Sequence, residues 1–184
     1  MVDIQNRLPA AVVTGLSAGA GRYAGVTCLL IGCLFVLGGM AREAIAEERL
    51  PSRQACLISD KGVIPITVEM AITDSQRRKG LMGRESLPAN SGMLFVYDEP
   101  RKPDHGFWMY KTLIPLDIAY LDKTGTIKAI KHMAPCRSRT SSGCPVYRAG
   151  VSFSAVLEMN RSFFRNHGIS VGHHFSTSES ICKH

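Results

Sequence analysis

The sequence predicts a mainly β, α+β fold: a compact antiparallel β-sandwich or barrel with two short capping helices. Three observations carry that prediction. Apolar and polar residues alternate with a period of two in several short runs, as half-buried strands require. Turn residues such as Asp122-Lys123-Thr124-Gly125 separate the runs at close intervals. Helix signals are confined to two brief stretches, leaving about six short strands to carry the fold. An apolar content of 45% over 184 residues suffices for one core and excludes a globally disordered chain.

The N-terminus stands apart from that fold. Residues 24–40 are apolar, with Arg7 and Arg22 before them and Ala44-Ile45-Ala46, a small-x-small cleavage site, after them. The apolar centre, residues 26–37, falls short of the roughly twenty residues a bilayer span needs. Residues 1–46 are therefore expected to be a signal peptide, with an uncleaved anchor as the alternative because Gly38, Gly39 and Met40 extend the run. Leu30-Ile31-Gly32-Cys33 has the look of a lipoprotein box, but apolar residues continue past Cys33. Export to the periplasm or the medium is expected, with membrane contact only through this segment.

In order along the exported part, residues 47–62 are expected to be a lead-in, charged and interrupted by Pro51. Residues 64–71 are the first strong strand, with Ile66, Val68 and Met70 alternating against Thr67 and Glu69. Thr73 and Gln76 form a capping box that opens a short helix through Arg77 and Lys79, ending near Gly80 or Gly83. Residues 93–97 are apolar almost throughout, so both faces of that strand should be covered. Residues 107–110 form a strand that bends at Ile114-Pro115, and residues 118–121 and 126–131 are the clearest hairpin. Residues 153–159 alternate again, with Ser154, Val156 and Glu158 set against Phe153, Ala155, Leu157 and Met159. Asn160 can cap a helix through Asn166, closed by Gly168; residues 169–175 add a last strand, and residues 176–184 a flexible tail.

Net charge is +7, but the basic residues are scattered and their longest run is Arg77-Arg78-Lys79, which argues against a dedicated nucleic-acid reader. Export changes how the cysteines read. Cys136 and Cys144 flank the polar loop Arg-Ser-Arg-Thr-Ser-Ser-Gly, which a disulfide would pin, and Cys56 and Cys182 lie near the two ends of the exported chain. Zinc is the competing use of the thiols, but no Cys-x-x-Cys pair supports it, and no metal or cofactor is expected.

Three blocks stand in register: Arg77-x-x-Gly80-Leu81-Met82-x-Arg84-x-x-Leu87, Gly92-Met93-Leu94-Phe95-Val96, and Phe107-Trp108-Met109-x-x-Thr112-x-x-Pro115-Leu116-Asp117. Together they resemble the DUF192 family, also called UPF0127, over residues 66–172, and residues 63–175 are read as that domain. The resemblance implies a compact, mostly β domain, often exported, with no settled activity; Cys136…Cys144-Pro145-x-Tyr147 is similar to a cysteine-bearing subgroup. The family commonly carries Lys or Arg and then Asn ahead of the threonine, where this chain has Tyr110-Lys111. It also favours Ala-Arg-Tyr-Val-Leu-Glu where Phe153 to Glu158 stand, and an acidic residue where His173 stands.

Arg84, Trp108, Thr112 and Asp117 are the candidate ligand-binding residues. Arg84 suits an anion or a carboxylate, whether in a ligand or in a structural pair. Trp108 offers a stacking face, although core packing is the ordinary role of a strand tryptophan. Asp117 follows a proline corner, where a carboxylate acts as a general base if partly buried, or braces the corner by accepting hydrogen bonds. Met82, Met93 and Met109 raise Cu(I), but strand methionines more often fill a core. The expected function is an envelope module binding a small polar ligand such as a glycan fragment. A structural or assembly partner of an envelope protein, and a hydrolase using Asp117 as base, stand as the alternatives.

Overall fold

Among residues 50–183, which the computed structural model describes, the alternating strands fold into one curled sheet with a small ribbon laid on its outside. The apolar N-terminal segment lies outside those residues. In chain order the elements are β1 (Ser52–Ser59), β2 (Gly62–Ala71), α1 (Asp74–Lys79), β3 (Ser91–Arg101), β4 (Gly106–Trp108), β5 (Leu116–Leu121), β6 (Ile127–Met133), β7 (Val146–Arg148), β8 (Phe153–Asn160), α2 (Phe163–Asn166), β9 (His174–Ser176) and α3 (Glu179–Cys182). A 3-10 turn, Ser141–Gly143, sits in the loop before β7.

The main sheet has the order β6-β5-β8-β3-β2-β1-β9, and β4 pairs with β7 in the ribbon. The two edges of the main sheet meet at one end. There the Ile127 N–H donates to the His173 carbonyl at 2.8 Å and the Phe175 N–H to the Gly125 carbonyl at 2.8 Å. Closure lets each strand present one face inward and one outward. The enclosed core contains Leu57, Val68, Leu94, Leu121, Leu157 and Phe175, with Phe163 and Phe164 added from α2. The outward core contains Met93, Phe95, Ile118, Tyr120 and Phe153, covered by Phe107 and Met109 and by the bridged cysteine loop. A strand buried on both faces can be apolar throughout, which is why residues 93–97 read as they do.

The mainly β class holds, with three departures in detail. The β2–β3 pair is parallel, because the chain crosses through α1 and returns in the same direction. The expected lead-in contains β1, whose polar Ser52, Arg53 and Gln54 hide a buried Ala55-Cys56-Leu57. The expected tail contains α3, tied back to β1 by a Cys56–Cys182 disulfide. A second disulfide joins Cys136 to Cys144 across the polar loop. No helix among the described residues is long and apolar enough to cross a membrane.

Candidate functional site

The site is built from α1 outward. The Thr73 hydroxyl oxygen accepts from the Gln76 N–H at 3.2 Å, and the Gln76 side-chain Oε1 accepts from the Thr73 N–H at 3.0 Å. That capping box fixes a helix of one and a half turns whose last turn is Arg77-Arg78-Lys79. Gly80 ends it at φ +47, a conformation suited to glycine, with the Phe95 ring directly beneath. Arg77 turns inward and donates to the carbonyls of Ile72 (2.6 Å) and Val96 (2.7 Å), which docks α1 onto β3. Arg78 and Lys79 remain exposed.

Opposite α1 stands the β4–β7 ribbon. Only its inner face packs: Phe107 meets Phe95 edge-on at 5.4 Å and Tyr120 at 5.9 Å. Trp108 therefore projects outward and is 42% exposed, beside Val146, its cross-strand partner. Between α1 and the ribbon lies a cleft of about 470 Å³, lined by Arg77, Arg78, Lys79, Tyr97, Arg101, His105, Phe107, Trp108, Thr112 and Glu158 among others.

Glu158 is the residue that gives the cleft its chemistry. It sits on the outward face of β8 between Met93 of β3 and Ile118 of β5, and is only 4% exposed. Gly92 makes this approach possible, since a Cβ there would come within 2.4 Å of the Glu158 carbonyl oxygen. Among the described residues its carboxyl has no hydrogen-bond partner, and burial pushes its pKa up to about 8. It is mostly protonated at neutral pH. Burial likewise raises Tyr97 to about 12 and raises Tyr120, while burial and Arg101 together lower His105. Arg77 and Arg101 lie over the Tyr97 ring at 4.9 and 5.1 Å. The cleft thus combines an exposed cationic rim, aromatic walls and one buried neutral acid.

The four residues singled out from sequence do not converge. Trp108 and a buried Thr112 line the cleft. Arg84 instead grips Glu69 of β2 bidentately, with Nη2 to Oε2 at 2.6 Å. Asp117 lies on the enclosed face of the sheet with Ala119 and Leu121, fully buried, and its Oδ1 meets Nδ1 of an exposed His132 at 2.6 Å. Its Oδ2 has no hydrogen-bond partner among the described residues. Glu158, Tyr97, Arg101 and His105 carry no local signal in the sequence, because a carboxylate in an alternating strand reads as solvent-facing when nothing marks the outer face as covered. Among the described residues no group of three or more His, Cys, Asp or Glu is placed to hold a metal ion.

Fold and site together define a small curled-sheet β domain with a lateral cleft floored by a protonated carboxyl. Residues 56–177 match the DUF192 family, described as "Uncharacterized ACR", and the chain belongs to that family. It is 30% identical to a solved Sinorhizobium meliloti 1021 protein whose description proposes a role as a transcription regulator. That match covers 71% of this chain and 96% of the other, with a TM-score of 0.63. A protein of unknown function from Novosphingobium aromaticivorans DSM 12444 is 27% identical over 69% of this chain and 86% of its own, with a TM-score of 0.60. No curated protein matches the chain.

Proposed function

We propose that the domain is an exported module that binds a small polar ligand in the cleft between α1 and the β4–β7 ribbon. One observation carries this reading: Glu158 is buried, without a hydrogen-bond partner among the described residues, at the floor of an open cleft whose rim is cationic. A buried polar group is ordinarily satisfied within the protein, and one left facing a cleft is available to a ligand. Trp108 adds an exposed aromatic face to the same cleft, suited to stacking on a flat ring or covering a sugar. Two disulfides suit the oxidising compartment that export would provide. Asp117 faces away from the cleft, so a hydrolase working through it has no substrate path there.

The test is a thermal-shift screen of amino acids, uronic acids and sugar phosphates against the wild type, Trp108→Ala and Glu158→Gln. A ligand at a hundred times its Kd stabilises by about 2.7 kcal/mol, which is readily measured. Binding in the cleft predicts a ligand that raises the wild-type Tm and loses that effect in both variants. A folded wild type that no member of the panel stabilises would contradict it.

A further inference from the structure

The cleft is polar in an ordered way. Its exposed cations, Arg78, Lys79 and Arg101, lie at the rim, whereas Glu158 lies at the floor. Among the described residues Thr112 is the one other buried polar side chain lining it, so the floor has few partners for a polyol with many hydroxyls. The same cleft is lined by the rings of Phe95, Tyr97, Phe107 and Trp108. Cations already sit on π faces here: both guanidiniums over Tyr97 do so. Trp108 offers a further exposed face in the same cleft. A carboxyl among aromatic rings is the chemistry that seats an ammonium group, and a cationic rim is the chemistry that holds an anion.

We propose that the cleft takes a zwitterionic small molecule, with its ammonium group between Glu158 and the Trp108 side of the cleft and its anionic group at Arg78 and Arg101. This rests on the binding reading above and names the ligand class. An ammonium requires Glu158 ionised, yet burial keeps it protonated in the free protein up to about pH 8. Binding therefore sends the Glu158 proton to the solvent, and affinity rises with pH until the carboxyl is already ionised. A hydroxyl ligand lacks this steep rise, because it accepts from the protonated acid and donates to the carboxylate.

The other charged and titratable groups facing Glu158 leave that window clear. From α1 these are Asp74, Arg77, Arg78 and Lys79; from β3, Tyr97 and Arg101; from the loop before β4, His105; from β5, Tyr120. Arg77 lowers Asp74, burial lowers His105, and burial raises both tyrosines, so each moves away from pH 8.

Calorimetry in two buffers of different ionisation enthalpy tests the proposal. The probes are β-alanine, 4-aminobutyrate and 6-aminohexanoate, each matched by its ω-hydroxy acid, and vesicles displaying phosphatidylethanolamine. The amines and carboxylates of the free compounds do not titrate between about pH 6 and 9. The expected result is an amino acid that binds about tenfold more tightly per pH unit from 6 to 8, with close to one proton released at pH 6.5 and none above 9. Glu158→Gln should abolish the proton release and weaken binding at pH 9 at least tenfold. The same pH dependence with vesicles but not with the free compounds assigns the zwitterion to a lipid headgroup; the reverse assigns it to a soluble molecule. Hydroxy acids binding as tightly as the amino acids, or affinity that does not rise with pH, would overturn the zwitterion while leaving the cleft a binding site. Failure of these probes together with the whole thermal-shift panel would remove both readings.

Discussion

Ionising Glu158 in the native state places an unpaired charge in a low-dielectric floor, and the cost must appear in the stability of the fold. Its native pKa is about 8 against an ordinary value of 4.5. Between those values the folded chain holds a proton that the unfolded chain has lost, so stability is greatest below pH 4.5 and falls as pH rises through 8. The loss is on the order of 5 kcal/mol at most, from about 1.4 kcal/mol per pKa unit. Urea unfolding at a series of pH values should show that decline in the wild type and a flatter profile in Glu158→Gln, whose amide does not titrate. Asp117 plays a different part. Its fully buried carboxyl is hydrogen-bonded to the exposed His132, and losing one such hydrogen bond costs about 1 kcal/mol. Asp117→Ala should lower the urea midpoint accordingly while leaving cleft ligands bound with unchanged affinity. Weaker ligand binding by a folded Asp117→Ala would return that residue to the site.

The same logic reaches the turn between β4 and β5. Lys111 sits at φ +56, in the left-handed region that costs an ordinary L-residue about 1 kcal/mol and that Asn tolerates better. Lys111→Asn should therefore raise stability by up to about 1 kcal/mol in denaturant unfolding, with the cleft unaltered. Much of this element level was legible in the sequence. Thr73 and Gln76 announce α1 because a capping box is local, and the β5–β6 hairpin is announced by its turn chemistry. What was not legible depends on which face of a strand is covered, and that is decided by distant residues. Glu158 alternates as if solvent-facing, but Phe107 and the cysteine loop cover that face. Trp108 lies in an apolar run, yet its ribbon packs on one side only. Arg84 and Asp117 are both polar residues in family blocks, yet strand alternation puts Asp117 on the enclosed face while Arg84 finds Glu69 of β2.

At the scale of the whole molecule, the Cys56–Cys182 bridge joins residues 126 apart and fastens α3 to β1 at the seam where the sheet closes. Loop-closure entropy predicts that it stabilises by up to about 5 kcal/mol, against about 2.5 kcal/mol for the short Cys136–Cys144 loop. A Cys56→Ser/Cys182→Ser double variant should accordingly lose more stability than Cys136→Ser/Cys144→Ser. The latter should instead perturb the loop that covers the outward core and, through the β4–β7 ribbon, the position of Trp108. Closure of the sheet, covering of its outer face and burial of Glu158 are thus consequences of one arrangement. The most direct test of that arrangement is the titration of the Glu158 side-chain carboxyl, followed by 13C NMR and assigned by its absence in Glu158→Gln. A midpoint near pH 8 is predicted; a midpoint near 4.5, the ordinary glutamate value, would contradict a buried, unpartnered acid at the floor of the cleft.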